Sequence, residues 1–477
     1  MMDYAYILMT VAMIFCCLRS PALGIAALGF ILPISKRLPS LPIPLLNTQN
    51  LIVLAALVPL LMRPRTSERT GGIRFVGPLA VFMLLVTVAL ANTLLFFEPL
   101  RYAFMYDPYQ IIITYKNQIT CLLIYAAGCL AARTRADLEI AVKGLALGVA
   151  FESLFICAEV VARGPARANG HLFEGNSAGA FLAGGFALTL AFLLMFGWRS
   201  REGRFSLGAT VAAAIGLVFT VSRGNWLGGI LVGGALTLMK NRMVLVLLAL
   251  VVVAYPLWLP QRAMDRINES FMPADHQGWR FTSHQDTDEA ASILALQERL
   301  MGEQPSVGDP GSELVLDSSS QVRLYVWQAG LRMIQDYPLG VGYGVFPFYL
   351  HLYSDIIKYR AAHNYYLQLT AEVGIPGLIA FLVLLGCLSW ESMMAYIHGG
   401  DPFLKGVGLA AIGTLIAMLV SAVFYNFFFI IEVNGQQWLL LGLATQVRGL
   451  VRSAAKVRAT EAAGAAPEPV PLYRMIT

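Results

Sequence analysis

The chain has 477 residues, of which 57% are hydrophobic and only 13% are charged. No soluble domain needs that much apolar surface, and the mean hydropathy of +0.65 agrees. The apolar runs are continuous and long enough to cross a hydrocarbon core of about 30 Å as helices, which excludes a barrel of alternating strands. The net charge of +5 is scattered among short loops, so it does not indicate a nucleic-acid partner.

All six cysteines lie inside apolar segments, and the one long polar region has none. This distribution excludes a disulfide framework and a cysteine-based zinc site in that region. No Walker loop, G-x-G-x-x-G, H-E-x-x-H or cysteine cluster occurs, so we expect neither a cofactor nor a metal. The N-terminal segment lacks a basic n-region and a cleavage site, and we interpret it as a retained membrane segment.

In chain order, apolar segments fall at about 4–18, 22–34, 48–62, 76–97, 117–132, 138–160, 176–197, 206–221, 225–239 and 242–259, and then at 366–397, 405–431 and 436–447. The first two are short and separated only by Arg19, Ser20 and Pro21, so they form one broken crossing or one of them is re-entrant, and we count them as one crossing. This pattern predicts an all-α, polytopic membrane protein of about 12 transmembrane helices with one large periplasmic helical loop. Counting the first two segments separately gives thirteen helices.

Arginine and lysine cluster in alternate connections, which are cytoplasmic by the positive-inside rule. The intervening connections then face out: 98–116, 163–175, the turn at 222–224 and the whole of 260–362. We therefore predict N-terminal transmembrane helices over 1–259, a periplasmic loop with catalytic elements over 260–362, C-terminal transmembrane helices over 363–447, and a disordered cytoplasmic tail over 448–477. Within the loop, helices are expected at 288–303 and 318–335.

Basic residues lie near helix ends on the predicted external face, where positive charge is disfavoured: Arg163, Arg167, Arg223, Arg323, Arg332, Lys358 and Arg360. Each could simply snorkel to lipid headgroups. The position of Arg223 indicates a functional role, because it lies in TVSRGNW between two apolar runs with almost no loop. The planar fork of arginine binds phosphate bidentately, which points to a lipid phosphate or pyrophosphate.

Two histidines lie where predicted external segments meet helices. His171 has Glu174 and Asn176 nearby, and His363 follows Arg360. Either could be an ordinary interfacial hydrogen-bonding residue, but a neutral imidazole near pH 7 can also accept a proton from a hydroxyl. A metal site at His276 and His284 has no ligand spacing in its favour. The acidic triplet 286–288 resembles a D-x-D motif, yet nucleotide sugars are cytosolic, so we interpret it as solvated surface.

A reaction on the external face without ATP needs a substrate that carries its own leaving group. A sugar linked to a lipid pyrophosphate is such a substrate.

The stretch LYVWQAGLRMIQDYPLGVGYGVF, at 324–346, is followed closely by HNYYLQLTAEVGIPGLIAF. Together they resemble the signature of the O-antigen ligase and polymerase superfamily of bacterial inner membranes. Arg323 fits the family's loop arginine, SRGNW its arginine at a helix end, and GNSAGAF its asparagine at a helix start. The resemblance covers roughly residues 150–390.

This resemblance implies an all-helical membrane protein of the Gram-negative inner membrane with its active site facing the periplasm. We expect the protein to work as a monomer. The ligase branch transfers O-antigen from undecaprenyl pyrophosphate to a sugar of the lipid A core, without ATP or a divalent metal. By position, His363 would be the general base, and Arg223 and Arg323 would bind the pyrophosphate. Further donor-binding residues would be Arg163, Arg167, His171 and Arg360.

Three alternatives stay open at this stage. An O-antigen polymerase would join two lipid-linked repeats, and a protein O-glycosylation ligase would use a protein hydroxyl as acceptor. We favour the ligase because the compact loop and the spacing from Arg323 to His363 resemble it more. A transporter or flippase would instead use the intramembrane carboxylates Glu152, Glu159 and Glu432, but related halves with paired broken helices are not evident.

Overall fold

The structure is a computed structural model that describes residues 2–38, 48–62, 72–99, 103–164, 167–268, 318–354 and 357–462. Its α-helices are α1 (Met2–Arg19), α2 (Pro21–Ile31), α3 (Thr48–Met62), α4 (Val76–Phe96), α5 (Pro108–Ala131), α6 (Arg135–Arg163), α7 (Gly175–Phe196), α8 (Arg201–Phe219), α9 (Arg223–Lys240), α10 (Arg242–Val253), α11 (Tyr255–Trp258), α12 (Gln261–Asn268), α13 (Ser318–Asp336), α14 (Phe346–Tyr349), α15 (Tyr365–His398), α16 (Pro402–Phe424), α17 (Ile431–Ala444) and α18 (Val447–Ala462). The predicted helix at 318–335 is present as α13. The predicted helix at 288–303, the acidic triplet at 286–288 and the histidines at 276 and 284 lie outside the described residues.

Over the described ranges, six helices are long and apolar enough to cross a membrane: α4, α6, α7, α8, α15 and α16. The chain is therefore a multi-pass, all-helical membrane protein, as predicted in outline. The count of twelve crossings and the periplasmic placement of the loop remain predictions.

The first two apolar segments do not form one broken crossing. A Cβ added to Gly24 would lie 2.6 Å from the Cα of Cys17, seven residues earlier, whereas a continuous helix would separate these positions by about 10 Å. The chain must therefore turn sharply at Ser20 and Pro21, so that α1 and α2 fold back on each other. Pro21 suits the first position of α2, because its missing N–H would have no helical partner there. This reversal fits two separate crossings or one re-entrant segment, and it excludes one continuous helix.

The middle of the bundle is formed by α7, which packs against α8, α9 and α16. Most of its residues are buried, and its sequence GNSAGAFLAGGFALTLAF is rich in glycine and alanine. Small side chains let neighbouring backbones approach closely, which is how helices associate where no water drives them together. The start of α7 is thereby fixed against the ends of its neighbours.

A kink near the start of α15 receives the loop that follows α13. Gly374 has φ 85° and ψ 173°, a conformation open essentially only to glycine. The kink leaves the carbonyl groups of Ala371 and Glu372 without helical partners, and the N–H groups of Val341 and Gly342 donate to them at 2.9 and 3.0 Å. The stretches PLGVGYG and AEVGIPG of the sequence signature are thus joined through their backbones.

The C-terminal segment is more ordered than predicted. Residues 448–462 belong to α18, so the expected disordered tail is wrong for this part, and residues 463–477 lie outside the described ranges. Val447 and Leu450 are buried against the bundle, and the guanidinium of Arg448 bonds to Glu391 at 3.1 Å. Because these contacts anchor the first turn, the alanine-rich and arginine-rich sequence continues as a helix.

Candidate active site

Three helix starts and one helix end meet at one end of the bundle. They are the starts of α7, α9 and α15 and the end of α16, and hydrogen bonds or ring contacts link each to its neighbour. His363 lies two residues before α15 begins. The side chain of Asn364 caps that helix, because its oxygen accepts the N–H of Leu367 at 3.1 Å.

The backbone of His363 adopts an uncommon conformation that its neighbours hold in place. Its φ is 48°, in the left-handed region that non-glycine residues seldom occupy. The preceding residue, Ala362, is fixed on both sides: its carbonyl accepts the indole N–H of Trp327 at 2.9 Å, and its N–H donates to Gln368 at 3.4 Å. Strained residues of this kind concentrate at functional sites, where the surroundings impose the geometry.

Gln368 is itself held by polar neighbours. Its amide donates to the buried carboxylate of Glu372 at 3.0 Å, and its oxygen accepts from Asn426. Glu372 also accepts the N–H of Phe346 at 3.3 Å. Glu372, which the sequence left without a role, therefore ties the loop after α13 to the turn of α15 that supports His363.

The imidazole of His363 lies alongside the ring of Tyr425, just after α16. The ring centroids are 6.5 Å apart and the planes differ by 19°. The hydroxyl of Tyr425 donates to Glu174, whose carboxylate also accepts from the hydroxyl of Ser177 at 3.2 Å. Burial raises the pKa of Tyr425 well above its ordinary value, and the nearby Glu174 carboxylate raises it further, so the hydroxyl stays protonated.

Arg167 joins this arrangement through Asn176. Its guanidinium donates to the side-chain oxygen of Asn176 at 3.0 Å and to the carbonyl of Thr220 at 3.1 Å. Asn176 in turn donates to Glu174 at 3.3 Å. We call the polar residues connected in this way the Glu174 cluster: Arg167, Glu174, Asn176, Ser177, Ser222, Asn225 and Tyr425.

Arg223 is the first residue of α9 and lies against the Glu174 cluster. The preceding Ser222 donates to Asn176 at 3.0 Å, and the amide of Asn225 donates to Ser222 at 2.8 Å and to the carbonyl of Asn176 at 2.9 Å. These bonds fix the turn on both sides of Arg223, whose side chain is half-buried. The predicted helix-end arginine is thus brought to the same end of the bundle as His363.

Arg323 and Arg360 lie on the two chain segments that lead to the Ala362–His363 turn. Arg323 lies one helical turn before Trp327 on α13, so both side chains project from the same face of that helix. Trp327 contacts the residue preceding His363, and Arg360 lies three residues before it. Both arginines are half-buried.

Two of the predicted site residues lie apart from this arrangement. The His171 ring is buried, its Nδ1 lies 2.7 Å from Glu152, and its backbone N–H donates to the same carboxylate at 2.8 Å. Phe155 contacts the ring, with centroids 3.8 Å apart. The side chain of Arg163 is 73% exposed and pairs with Glu159 at 2.8 Å.

Neither Glu174 nor Tyr425 was predicted from the sequence to be a site residue. Glu174 directly precedes the GNSAGAF stretch, which was a usable signal, because an acidic residue at a helix start is well placed for the helix dipole. Tyr425 fell inside the apolar segment predicted at 405–431, whereas α16 ends at Phe424. Its position at a break between two helices could not be inferred from hydropathy.

Over the residues that the structure describes, no group of three or more histidine, cysteine, aspartate or glutamate side chains could hold a metal ion. The groups that the described residues bring to this end of the bundle are a half-buried imidazole, guanidinium groups and a carboxylate held by hydrogen bonds. Such a set can accept a proton and bind an anion.

The fold and this site define a multi-pass helical membrane protein with a histidine and arginines gathered at one end of its bundle. Residues 208–382 match the family model described as O-antigen ligase. This segment therefore belongs to the O-antigen ligase and polymerase superfamily, which confirms the resemblance. The family implies a glycosyltransferase of the ligase or polymerase type acting on a lipid-linked polysaccharide. None of the curated proteins that were compared matches the chain.

The matched segment contains Arg223, Arg323, Arg360 and His363. It does not include Arg167, Glu174 or Tyr425. The hydrogen bonds of the Glu174 cluster thus connect residues inside the matched segment to residues on either side of it.

Proposed function

We propose that this protein is an O-antigen ligase that transfers polysaccharide from undecaprenyl pyrophosphate to a sugar of the lipid A core, with its active site facing the periplasm. The observation that carries the proposal is the position of His363. It is held at a positive φ at the end of the bundle where Arg223 begins α9 and the guanidinium of Arg167 bonds to Asn176. A base and an anion-binding group are the two functions that such a transfer requires.

In the proposed reaction, His363 accepts the proton of the acceptor hydroxyl as that oxygen attacks the anomeric carbon of the donor sugar. The bond between this carbon and the pyrophosphate oxygen breaks, and its electron pair leaves with undecaprenyl pyrophosphate. Attack opposite the leaving group inverts the anomeric configuration. A base of this kind contributes about 10²- to 10⁴-fold in rate.

The guanidinium groups neutralise the charge that grows on the leaving pyrophosphate. We assign this role to Arg223 and Arg323, with Arg167 and Arg360 as further donor-binding residues. Arg167 is supported by its link to Asn176 beside Arg223. We withdraw Arg163 and His171 from the proposed substrate contacts, because the first is largely exposed and the second is enclosed by Glu152 and Phe155.

An O-antigen polymerase or a protein O-glycosylation ligase would use the same donor and the same base. These two differ from the proposed ligase only in the acceptor. A transporter is less well supported, because its three candidate carboxylates have separate local partners: Glu152 bonds to His171, Glu159 to Arg163, and Glu432 to Gln49.

The acceptor is identified by deleting the gene and isolating both the lipid A core and the lipid carrier. We expect the core to lose its polymer while full-length polymer accumulates on the carrier, and a plasmid copy should reverse both changes. Single unpolymerised repeats on the carrier would instead indicate a polymerase. Unchanged lipid A with loss of glycan from a protein would indicate the protein ligase.

A further inference from the structure

The His363 ring lies beside the ring of Tyr425, a residue outside the matched family segment. We propose that Tyr425 is a positioning residue for His363 and that Glu174 holds Tyr425 in place. This inference rests on the proposed function, because it concerns the base of the same reaction.

Packing beside the imidazole of His363 bears on the rate of the proposed reaction. The hydrogen bonds at Ala362 hold the main chain next to His363. A general base must lie within hydrogen-bonding reach of the proton that it removes, and a misplacement of about 1 Å can cost on the order of 10² in rate. A ring packed beside the imidazole limits the positions that it can take.

Tyr425 supplies a flat surface beside that ring. The centroid separation of 6.5 Å and the angle of 19° lie within the range of offset aromatic pairs. The backbone of Tyr425 is also fixed, since its N–H closes the last turn of α16 by donating to Ser421 at 3.0 Å. The ring therefore leaves a rigid helix end directly toward His363.

Glu174 anchors the other end of the Tyr425 side chain. Its carboxylate accepts the Tyr425 hydroxyl together with the side chains of Asn176 at 3.3 Å and Ser177 at 3.2 Å. It also stands immediately before α7, where the helix dipole stabilises negative charge. Tyr425 thus links the end of α16 to the start of α7, and its ring lies beside the His363 imidazole.

Tyr425 is expected to act through geometry and not through proton transfer. Its hydroxyl is occupied as a donor to Glu174, and the raised pKa keeps it protonated over the range in which enzymes of this kind work. The pH dependence of transfer should therefore report His363 and not Tyr425.

The test uses the purified full-length protein in lipid nanodiscs, with lipid-linked donor and lipid A core as substrates. Tyr425→Phe keeps the ring and loses the bond to Glu174, and Tyr425→Leu loses both. We expect kcat to fall about 10-fold in the first and about 100-fold in the second, with the KM for donor and the shape of the pH profile unchanged. Tyr366→Phe is the matched control. It removes the hydrogen bond from a tyrosine in the first turn of α15 to the carbonyl of Leu419, and it should leave kcat as in the wild type.

Double variants separate positioning from a general structural effect. With His363 replaced by alanine, Tyr425→Leu should cause no additional loss, because the ring that it positions is gone. An independent, multiplicative loss in that background would overturn the inference, as would a rise in donor KM without a fall in kcat. If Tyr425→Leu does not fold, Tyr425→Phe and Glu174→Gln provide the same comparison.

Different results would refute His363 as the base and Tyr425 as its positioning residue. Full activity of His363→Ala would remove the proposed base and, with it, the role of Tyr425. Loss of transfer in His363→Ala together with wild-type kcat in both Tyr425 variants would leave the base in place and refute only the positioning role.

Discussion

His171 and His363 stand in similar sequence surroundings but in opposite structural ones. Both precede a long apolar helix, and both have polar neighbours in the chain. His171 is buried, bonded through Nδ1 to Glu152 and packed against Phe155. His363 is half-buried, strained at φ 48°, and lies beside Tyr425 at the end of the bundle.

The chemical role of a histidine at a helix start therefore depends on the residues packed around its ring. An imidazole whose ring is packed between a carboxylate and aromatic rings holds a loop to a helix. An imidazole that is fixed through its backbone, with its ring partly exposed, can meet a substrate. Replacing His171 should therefore lower the stability of the protein, whereas replacing His363 should lower the rate of transfer.

The largest change in stability is expected at the buried pair. His171→Ala removes the Nδ1 partner of the buried Glu152 carboxylate, which keeps only the backbone N–H of residue 171, and it empties the space of a ring packed against Phe155; together these losses cost about 3–5 kcal/mol. Thermal unfolding in detergent should show a much lower midpoint for His171→Ala than for His363→Ala. Equal midpoints for the two variants would contradict the division of roles.

Donor binding should depend on the fork of Arg223 and not only on its charge. Arg223→Lys keeps the positive charge and loses bidentate contact with a phosphate, so we expect a loss of about 1.5–3 kcal/mol in donor affinity. Binding of lipid-linked pyrophosphate to nanodiscs, measured by calorimetry, checks this value. Undiminished affinity would mean that Arg223 only reaches toward lipid headgroups.

A substitution at the kink of α15 tests whether the loop after α13 helps to hold His363 in position. In Gly374→Ala, the new Cβ would lie 2.5 Å from the carbonyl carbon of Leu339, and the positive φ adds strain. We expect a loss of about 1–3 kcal/mol in stability and a parallel fall in transfer. Gly386→Ala on the same helix is the control, because an added Cβ there meets no atom within 4 Å. A Gly374→Ala protein that matches this control in both measurements would refute the role of the kink.

The smallest effect is expected at Arg163. Its side chain is 73% exposed and bonded to Glu159, so Arg163→Ala should change stability by less than about 0.5 kcal/mol. Donor affinity should stay at the wild-type value, in contrast to Arg167→Ala. A clear fall in donor affinity for Arg163→Ala would return that residue to the site.

The helical class and the helix at 318–335 could be predicted, because hydropathy and caps are local signals. The reversal between α1 and α2 could not, since Ser20 and Pro21 permit either a kink or a turn. The enclosure of His171 depends on Glu152, nineteen residues earlier, and the orientation of His363 on Tyr425, more than sixty residues later. Such pairings arise only when distant helices pack.

The most direct test of the central claim is single-turnover transfer by purified His363→Ala protein, with donor and acceptor supplied in a buffer containing EDTA. We predict a rate about 10²- to 10⁴-fold below the wild type, with donor affinity and unfolding midpoint unchanged and with wild-type transfer insensitive to EDTA. A wild-type rate in His363→Ala would contradict the assignment of His363 as the base.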